Sequence, residues 1–257
     1  MINILYPGGK NKALTFSYDD GTIHDRRLID IFNRYGLKGT FHLNSGRLNQ
    51  EGFIGHEEVA SLYKGQEVAC HGVNHLVPDQ LSSTGLINEL FEDRRNLELL
   101  TDTMVTGLSY AFGIYTDTVV DTATKVGIEY ARTIADTGSL FPPSDFMRWH
   151  PTAHHKKLFS DSSIVDIFLN PPPFVRHTLL YIWGHSYEFE MNNDWDAMEA
   201  MCAKLSGHND VWYTTNLEYC RYAKAARSLM FDTQHKEIYN PSNIKIWYDE
   251  NGTLKNI

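Results

Sequence analysis

Short apolar runs alternate with amphipathic stretches along most of the chain, a pattern that predicts strands followed by helices. Residues 13–18 read as a first strand. Leu28, Ile31, Phe32 and Tyr35 then share one face of a predicted helix over residues 25–35, with Gly36 as its stop signal. Residues 39–43 predict a second strand, 57–63 a short helix and 67–71 a third strand. The span 84–101, built around Leu86, Leu90, Leu97 and Leu100, reads as a charged amphipathic helix. A fourth strand over 106–112, a helix over 117–126 closed by Gly127, and a fifth strand over 128–134 follow. Residues 179–183 and 211–215 are the sixth and seventh strands, each followed by a helix, over 194–205 and 217–229. The tail, 238–257, predicts a hairpin turning at Asn251-Gly252. Between 135 and 176 the periodicity lapses, broken by Pro142-Pro143 and Pro171-Pro172-Pro173. A connection that long is expected to shape a substrate site.

Seven strands separated by helices imply an α/β fold with a parallel sheet and right-handed crossovers. An open doubly wound sheet and a closed barrel satisfy the pattern equally. No internal repeat or low-complexity segment interrupts it, and 257 residues suit a single domain, 1–257. The formal net charge of −9 leaves no basic field for nucleic acid. Cys70, Cys202 and Cys220 are odd in number and widely spaced, which points to reduced thiols. The first residues, Met1 to Tyr6, lack the pattern of a secretion signal, and no apolar run is long enough to span a membrane. A cytoplasmic enzyme is therefore the default expectation, with the oligomeric state left open.

The reactive residue types fall where predicted strands end. Tyr18-Asp19-Asp20-Gly21 closes the first, His71-Gly72-Val73-Asn74-His75 the third, and Gly184-His185-Ser186-Tyr187-Glu188 the sixth. In parallel α/β folds the carboxyl ends of the strands form one face, and sites gather there. Two carboxylates and three imidazoles are thus expected to converge. Neutral imidazole and carboxylate suit zinc and neighbouring divalent ions. One of the two Asp residues with His71 and His75 would make three ligands and leave the other Asp for proton transfer; the residues alone do not say which. Gly72 and Asn74 predict a turn, not a helix, between the two His. Cys70 alternates away from His71 and reads as core.

This arrangement resembles the polysaccharide deacetylase family, which shares the NodB homology domain. Thr15-Phe16-Ser17-Tyr18-Asp19-Asp20-Gly21 resembles its T-F-D-D-G motif, His71 to His75 its H-x-x-x-H motif, and Trp183-Gly184-His185 stands in the place of its late strand-end His. The resemblance runs from about residue 12 to about 230, leaving 231–257 as a tail. It implies a deformed (β/α)7 barrel and a hydrolase that removes N-acetyl groups from a saccharide. It further implies Asp19 as general base, Asp20, His71 and His75 as ligands of a divalent metal, and His185 as general acid. The metal would be zinc first, with cobalt, nickel or manganese as alternatives. The family's R-x-P-[YF]-G motif stands here as Ser109-Tyr110-Ala111-Phe112-Gly113, without the Arg that pairs with the base. Phe112 keeps the position whose backbone N–H would help hold the oxyanion. Arg148 is the expected replacement cation, and Trp149, Trp183, Tyr187 and Trp195 are candidates for a sugar-stacking platform. Competing readings are a hydrolase of a small linear or cyclic amide, a catalytically silent glycan binder and, third, a metal-dependent phosphoesterase, which would need more ligands.

Overall fold

The structure, a computed structural model, describes residues 2–234 and 237–257. After a short β1 (Ile2–Leu5), the chain enters β2 (Lys12–Asp20), buried almost end to end. A strand covered on both faces must satisfy its polar positions internally. Thr15 does so on Asn216 Oδ1 at 2.8 Å and Ser17 on His42 Nε2 at 3.0 Å. Then come α1 (Asp25–Tyr35), β3 (Gly39–Leu43), α2 (His56–Leu62), β4 (Glu67–Cys70) and α3 (Ser83–Thr101), the last capped by the Ser82 hydroxyl. β5 (Gly107–Ser109), α4 (Asp117–Lys125) and β6 (Tyr130–Arg132) complete the first half. The second half holds β7 (Ala153–His154), α5 (His155–Ser160), α6 (Ser163–Leu169), β8 (Thr178–His185) and α7 (Tyr187–Asn192). α8 (Trp195–Leu205), β9 (Val211–Tyr213) and α9 (Asn216–Arg227) follow, and then β10 (Met230–Phe231), β11 (Ile238–Tyr239), β12 (Trp247–Glu250) and β13 (Thr253–Asn256).

The main sheet is parallel throughout, in the order β6-β5-β4-β3-β2-β8-β7. It curls, as the deformed barrel requires. The 135–176 segment, expected to be irregular, carries β7, α5 and α6 and takes part in the barrel wall. The Ala131 N–H donates to the Phe146 carbonyl and the Thr133 N–H to the Trp149 carbonyl at 2.8 and 3.0 Å. Arg132 and Trp149 form a parallel bridge, and β7 pairs with β8 on the other side. The seventh place in the wall therefore belongs to residues 146–154. The strand expected there, over 211–215, is the short β9, which pairs only with Lys12–Leu14, below the point where β3 begins its pairing at Phe16. A two-residue strand carries no readable period, which is why the pattern missed β7.

The tail does contain a hairpin, β12–β13, turning at Asn251 (φ 53°) and Gly252 (φ 85°), the two positive φ values of a tight type I′ turn. Its other edge pairs with β1, which makes a three-stranded antiparallel sheet from the two ends of the described chain. Residues 238 and 239 belong instead to a separate pair, β10–β11. Among the described residues, no helix is long and apolar enough to cross a membrane.

Candidate active site

Strand register brings the strand-end residues level. Asp19 lies opposite His42 on β3 and His185 on β8, Cys70 opposite Leu108, and Ser109 opposite Arg132. Successive strand residues normally point to opposite faces. Asp20 breaks that rule with φ 85°, and both carboxylates come within 3.7 Å of the His71 Nε2. His75 (φ 58°) and Phe112 (φ 57°) also hold the left-handed backbone that non-glycine residues avoid, a concentration of strain typical of sites.

Asp19 is buried, and its Oδ2 accepts from the Arg132 guanidinium and, at 3.1 Å, from the Ser109 hydroxyl. Arg132 Nη2 also donates to Ser109 Oγ at 2.6 Å, and Nη1 to the Thr133 carbonyl at 3.0 Å. Burial alone would raise the Asp19 carboxyl, but Arg132, with His71, His42 and His185 around it, holds it well below the usual carboxylate range. The cation at Asp19 is thus Arg132 and not Arg148. Arg148 pairs with Asp117 at 2.6 Å and Asp145 at 2.9 Å on an exposed surface. The signal for Arg132 is its place near the carboxyl end of the fifth predicted strand, 128–134, on the face where the Asp and His residues gather.

His71 Nδ1 donates to the Ser109 carbonyl at 2.8 Å, which turns Nε2 toward Asp20. The loop to His75 hangs on buried acceptors. Asp93 takes the Ser45, His71 and Gly72 N–H groups at 2.8, 2.9 and 2.9 Å, and Glu89 takes those of Asn74 and Leu76. Gly72, at φ 85°, packs so closely on Glu89 that a Cβ there would meet Oε1 at 2.9 Å. His75 Nε2 lies 3.9 Å from Asp20 Oδ1, and burial, helped by His71, lowers this ring to about 4. The ligand atoms of Asp20, His71 and His75 all lie within 4.8 Å of one another, and Asp20 Oδ1 is buried without a hydrogen-bond partner. An oxygen in that position beside two imidazole nitrogens fits a divalent cation.

Across from the triad, His185 Nδ1 meets Glu188 Oε1 at 2.6 Å. Burial would lower the His185 ring, but this bond, with Asp19 and Asp20 nearby, raises it above its ordinary value. Glu188 itself is held below the carboxylate range by His154 and His185 in spite of burial. His154 and His155, from the irregular segment, complete this cluster, with Nε2 atoms 3.3 and 3.5 Å from Glu188 oxygens. No motif pointed to them.

The aromatic candidates divide. Trp149 is only 1% exposed, packed against Tyr130, Phe146, Tyr181 and Tyr219, and so is core and not a platform. Trp183 is also buried; its indole N–H donates to Asp136 at 2.6 Å and its face lies 4.5 Å beneath Arg132, so it supports the guanidinium instead of a sugar. Trp195 is buried as well, over Phe189. Tyr187 is half-buried with its ring 5.1 Å from His185, and Phe112 stands 53% exposed with its ring 4.4 Å from His75.

A sequence profile of the polysaccharide deacetylase family matches residues 7–131. No curated protein sequence matches the chain. Among solved structures, a protein from Mycobacterium smegmatis classed with the polysaccharide deacetylases is similar at 15% identity and TM-score 0.64, over 86% of this chain and 93% of that one. A variant of the peptidoglycan deacetylase PdaC from Bacillus subtilis is similar at 19% identity and TM-score 0.56, over 87% of this chain and 96% of that one. A CE4 family pseudoenzyme from Bacillus anthracis is similar at 19% identity and TM-score 0.52, over 84% of this chain and 67% of that one. The chain spans only 55% of a matched deacetylase from Streptococcus pyogenes and 44% of one from Bacillus cereus. At these identities the likeness is one of fold.

Proposed function

We propose, from the match of residues 7–131 to the polysaccharide deacetylase family, that this chain is a metal-dependent hydrolase removing N-acetyl groups from a carbohydrate. The observation that carries the proposal is the meeting of three parts at one barrel end: the Asp20, His71, His75 triad, the Asp19–Arg132 pair and the His185–Glu188 pair. The proposal takes residues 1–257 as one catalytic unit. Cys70, Cys202 and Cys220 are free and buried, which supports a reducing, cytoplasmic setting.

An amide resists hydrolysis because its carbonyl is a poor electrophile and its amine a poor leaving group. A divalent ion held by Asp20, His71 and His75, zinc first, would polarise the acyl oxygen and acidify water. Asp19 takes the proton of the attacking water. Its Oδ2 is held by Arg132 and Ser109, while Oδ1 is buried without a partner and is the oxygen free to accept. The Phe112 backbone N–H would help hold the developing oxyanion, a contribution of about 3 kcal/mol per donor. Glu188 at Nδ1 favours the charged form of His185, whose Nε2 then gives its proton to the departing amine nitrogen, so the amine leaves neutral. Tyr187 and the exposed Phe112 ring are the aromatic faces left to meet a sugar ring.

The silent, glycan-binding alternative rested on the missing motif Arg, and Arg132 at Asp19 removes that ground. The small-amide alternative keeps the same machinery and differs only in substrate. Acetate release from a panel of N-acetylated saccharides, with and without Zn²⁺, Co²⁺ or Ni²⁺, tests the proposal. Release that needs added metal supports it. A protein that binds one ion per chain and releases no acetate from any of them overturns it.

A further inference from the structure

We infer that His154, His155 and Glu188 form a second divalent-cation site, distinct from the Asp20, His71, His75 triad and suited to Zn²⁺. Both clusters are built alike, from two imidazoles and one carboxylate whose ligand atoms lie within 4.8 Å of one another. Tetrahedral zinc with ligands at about 2.0–2.2 Å sets them about 3.3–3.6 Å apart. His154 Nε2 is 3.3 Å from Glu188 Oε1 and His155 Nε2 is 3.5 Å from Glu188 Oε2. His155 is 1% exposed, and its Nδ1 is buried without a hydrogen-bond partner. Its ring is held by Phe189 at 4.4 Å and Tyr18 at 5.8 Å, so Nε2 is aimed by packing and not by hydrogen bonds of its own.

Room for the two rings is made by Gly184 on β8. A Cβ at that position would strike His155 Nδ1 and come within 3.1 Å of His154 Nε2. The pair is also fixed in direction: His154 ends β7 and His155 begins α5, so the strand-to-helix turn sends both rings toward α7, where Glu188 sits. Binding an ion at His154 Nε2 moves the ring proton to Nδ1. That ends only a long cap, 3.3 Å, from the Lys156 N–H. Three protein ligands leave one position for water, the arrangement of an exchangeable zinc and not of a closed structural one.

The second ion would draw on the carboxylate that holds His185 at 2.6 Å. On the reading of His185 as general acid, filling this site disengages Glu188 and slows turnover, so zinc would first activate and then inhibit. The existence of the site does not depend on that reading. The test uses untagged full-length protein, stripped with chelator, equilibrated with stepwise Zn²⁺ and counted by mass spectrometry, with acetate release followed in parallel. Wild type should reach two ions per chain. His154→Ala and Glu188→Gln should each stop at one, and His154→Ala should lose the inhibitory phase. Asp20→Asn should also stop at one, by losing the other ion. Wild type that saturates at one ion, or either variant at Glu188 or His154 that keeps two, overturns the inference. An Asp20→Asn protein that keeps both ions would instead overturn the assignment of the triad and leave this site standing. Equal Tm values of the metal-free proteins establish that the variants are folded.

Discussion

The two sides of the site use the same residue types and place them by different means. On the triad side, Asp19, Asp20, His71, Ser109 and Arg132 sit at or beside the ends of neighbouring parallel strands, and register, with the positive φ of Asp20, brings them together. On the acid side, only His185 stands on a strand of length. Glu188 follows it on α7, and His154 and His155 arrive from a segment that folds against β6 and β8 through a handful of backbone bonds. Geometry fixed by a continuous sheet is cheap to keep, because each strand is held along its whole length. Geometry fixed by a two-residue strand depends on its neighbours, such as the space left at Gly184 and the Trp183 side chain. The triad side should therefore fail locally and sharply on mutation, and the acid side more diffusely.

The largest effect expected lies in the Asp pair. Asp19→Asn should lower kcat by about 10²–10⁴-fold, since the amide keeps the shape but takes no proton, while metal content stays at the wild-type level. Asp20→Asn should reduce metal content instead. Metal stoichiometry measured beside turnover separates the two, and the opposite pattern would show the roles reversed. Next comes Arg132. It is fully buried against a buried carboxylate, and removing one partner of such a pair leaves a charge without compensation. Arg132→Met should destabilise the fold by about 3–5 kcal/mol in urea unfolding. Adding Asp19→Asn to Arg132→Met should recover part of that loss. Strict additivity of the two would mean the pair is not coupled.

What could be read from the chain beforehand follows the same division. Strands with six or more patterned residues, such as β2, and the motif residues at their ends were legible because burial and period 2 leave a trace in sequence. The hairpin turn at Asn251-Gly252 was legible because two positive φ values demand those residue types. Arg132 was missed although its strand was found, because a lone Arg carries no spacing rule; its role comes from reaching across the curled sheet to Asp19. His154, His155 and β7 were missed because two residues show no periodicity, and Pro-rich flanks made the whole span look like loop. Trp149 was misplaced for a related reason: its segment looked like loop, whereas it forms part of the wall and turns its ring into the core.

A smaller effect belongs to the acid side. Glu188→Gln keeps the hydrogen-bonding reach but removes a charge that favours the protonated form of His185. It should lower kcat by about 10–100-fold with little change in KM, because proton donation belongs to the transition state. A rise in KM with kcat intact would mean Glu188 acts on substrate and not through His185. Beneath both sides, Asp25 is buried and accepts from Ser186 at 2.5 Å and Tyr63 at 2.7 Å, and burial raises it from 3.8 to about 7. The folded state thus binds this proton more tightly than the unfolded chain. That contribution is fully present below about pH 4 and is lost as pH rises through 7. Asp25→Asn should flatten the fall in Tm between pH 5 and 8; an unchanged slope would remove Asp25 as its cause.

The smallest effect should come from Arg148, and it sharpens the contrast with Arg132 more than any loss could. The two arginines look equivalent in sequence, and Arg148, in the long segment, was the expected partner of Asp19. Its guanidinium instead joins Asp145, three residues before it, and Asp117 at the start of α4, whose side chain is 94% exposed. Ion pairs so open to solvent gain little, because water and salt screen the attraction and two long side chains must be held still. Arg148→Ala should therefore leave kcat, KM and the pH–rate profile as they are in wild type. Arg132→Met should change turnover and stability together. The comparison needs only steady-state kinetics and a melting curve on the two variants side by side. If Arg148→Ala lowers kcat while Tm holds, the surface pair reaches the site by a route that the hydrogen bonds do not trace. Arg132 would then be no more than half of what replaces the missing motif arginine.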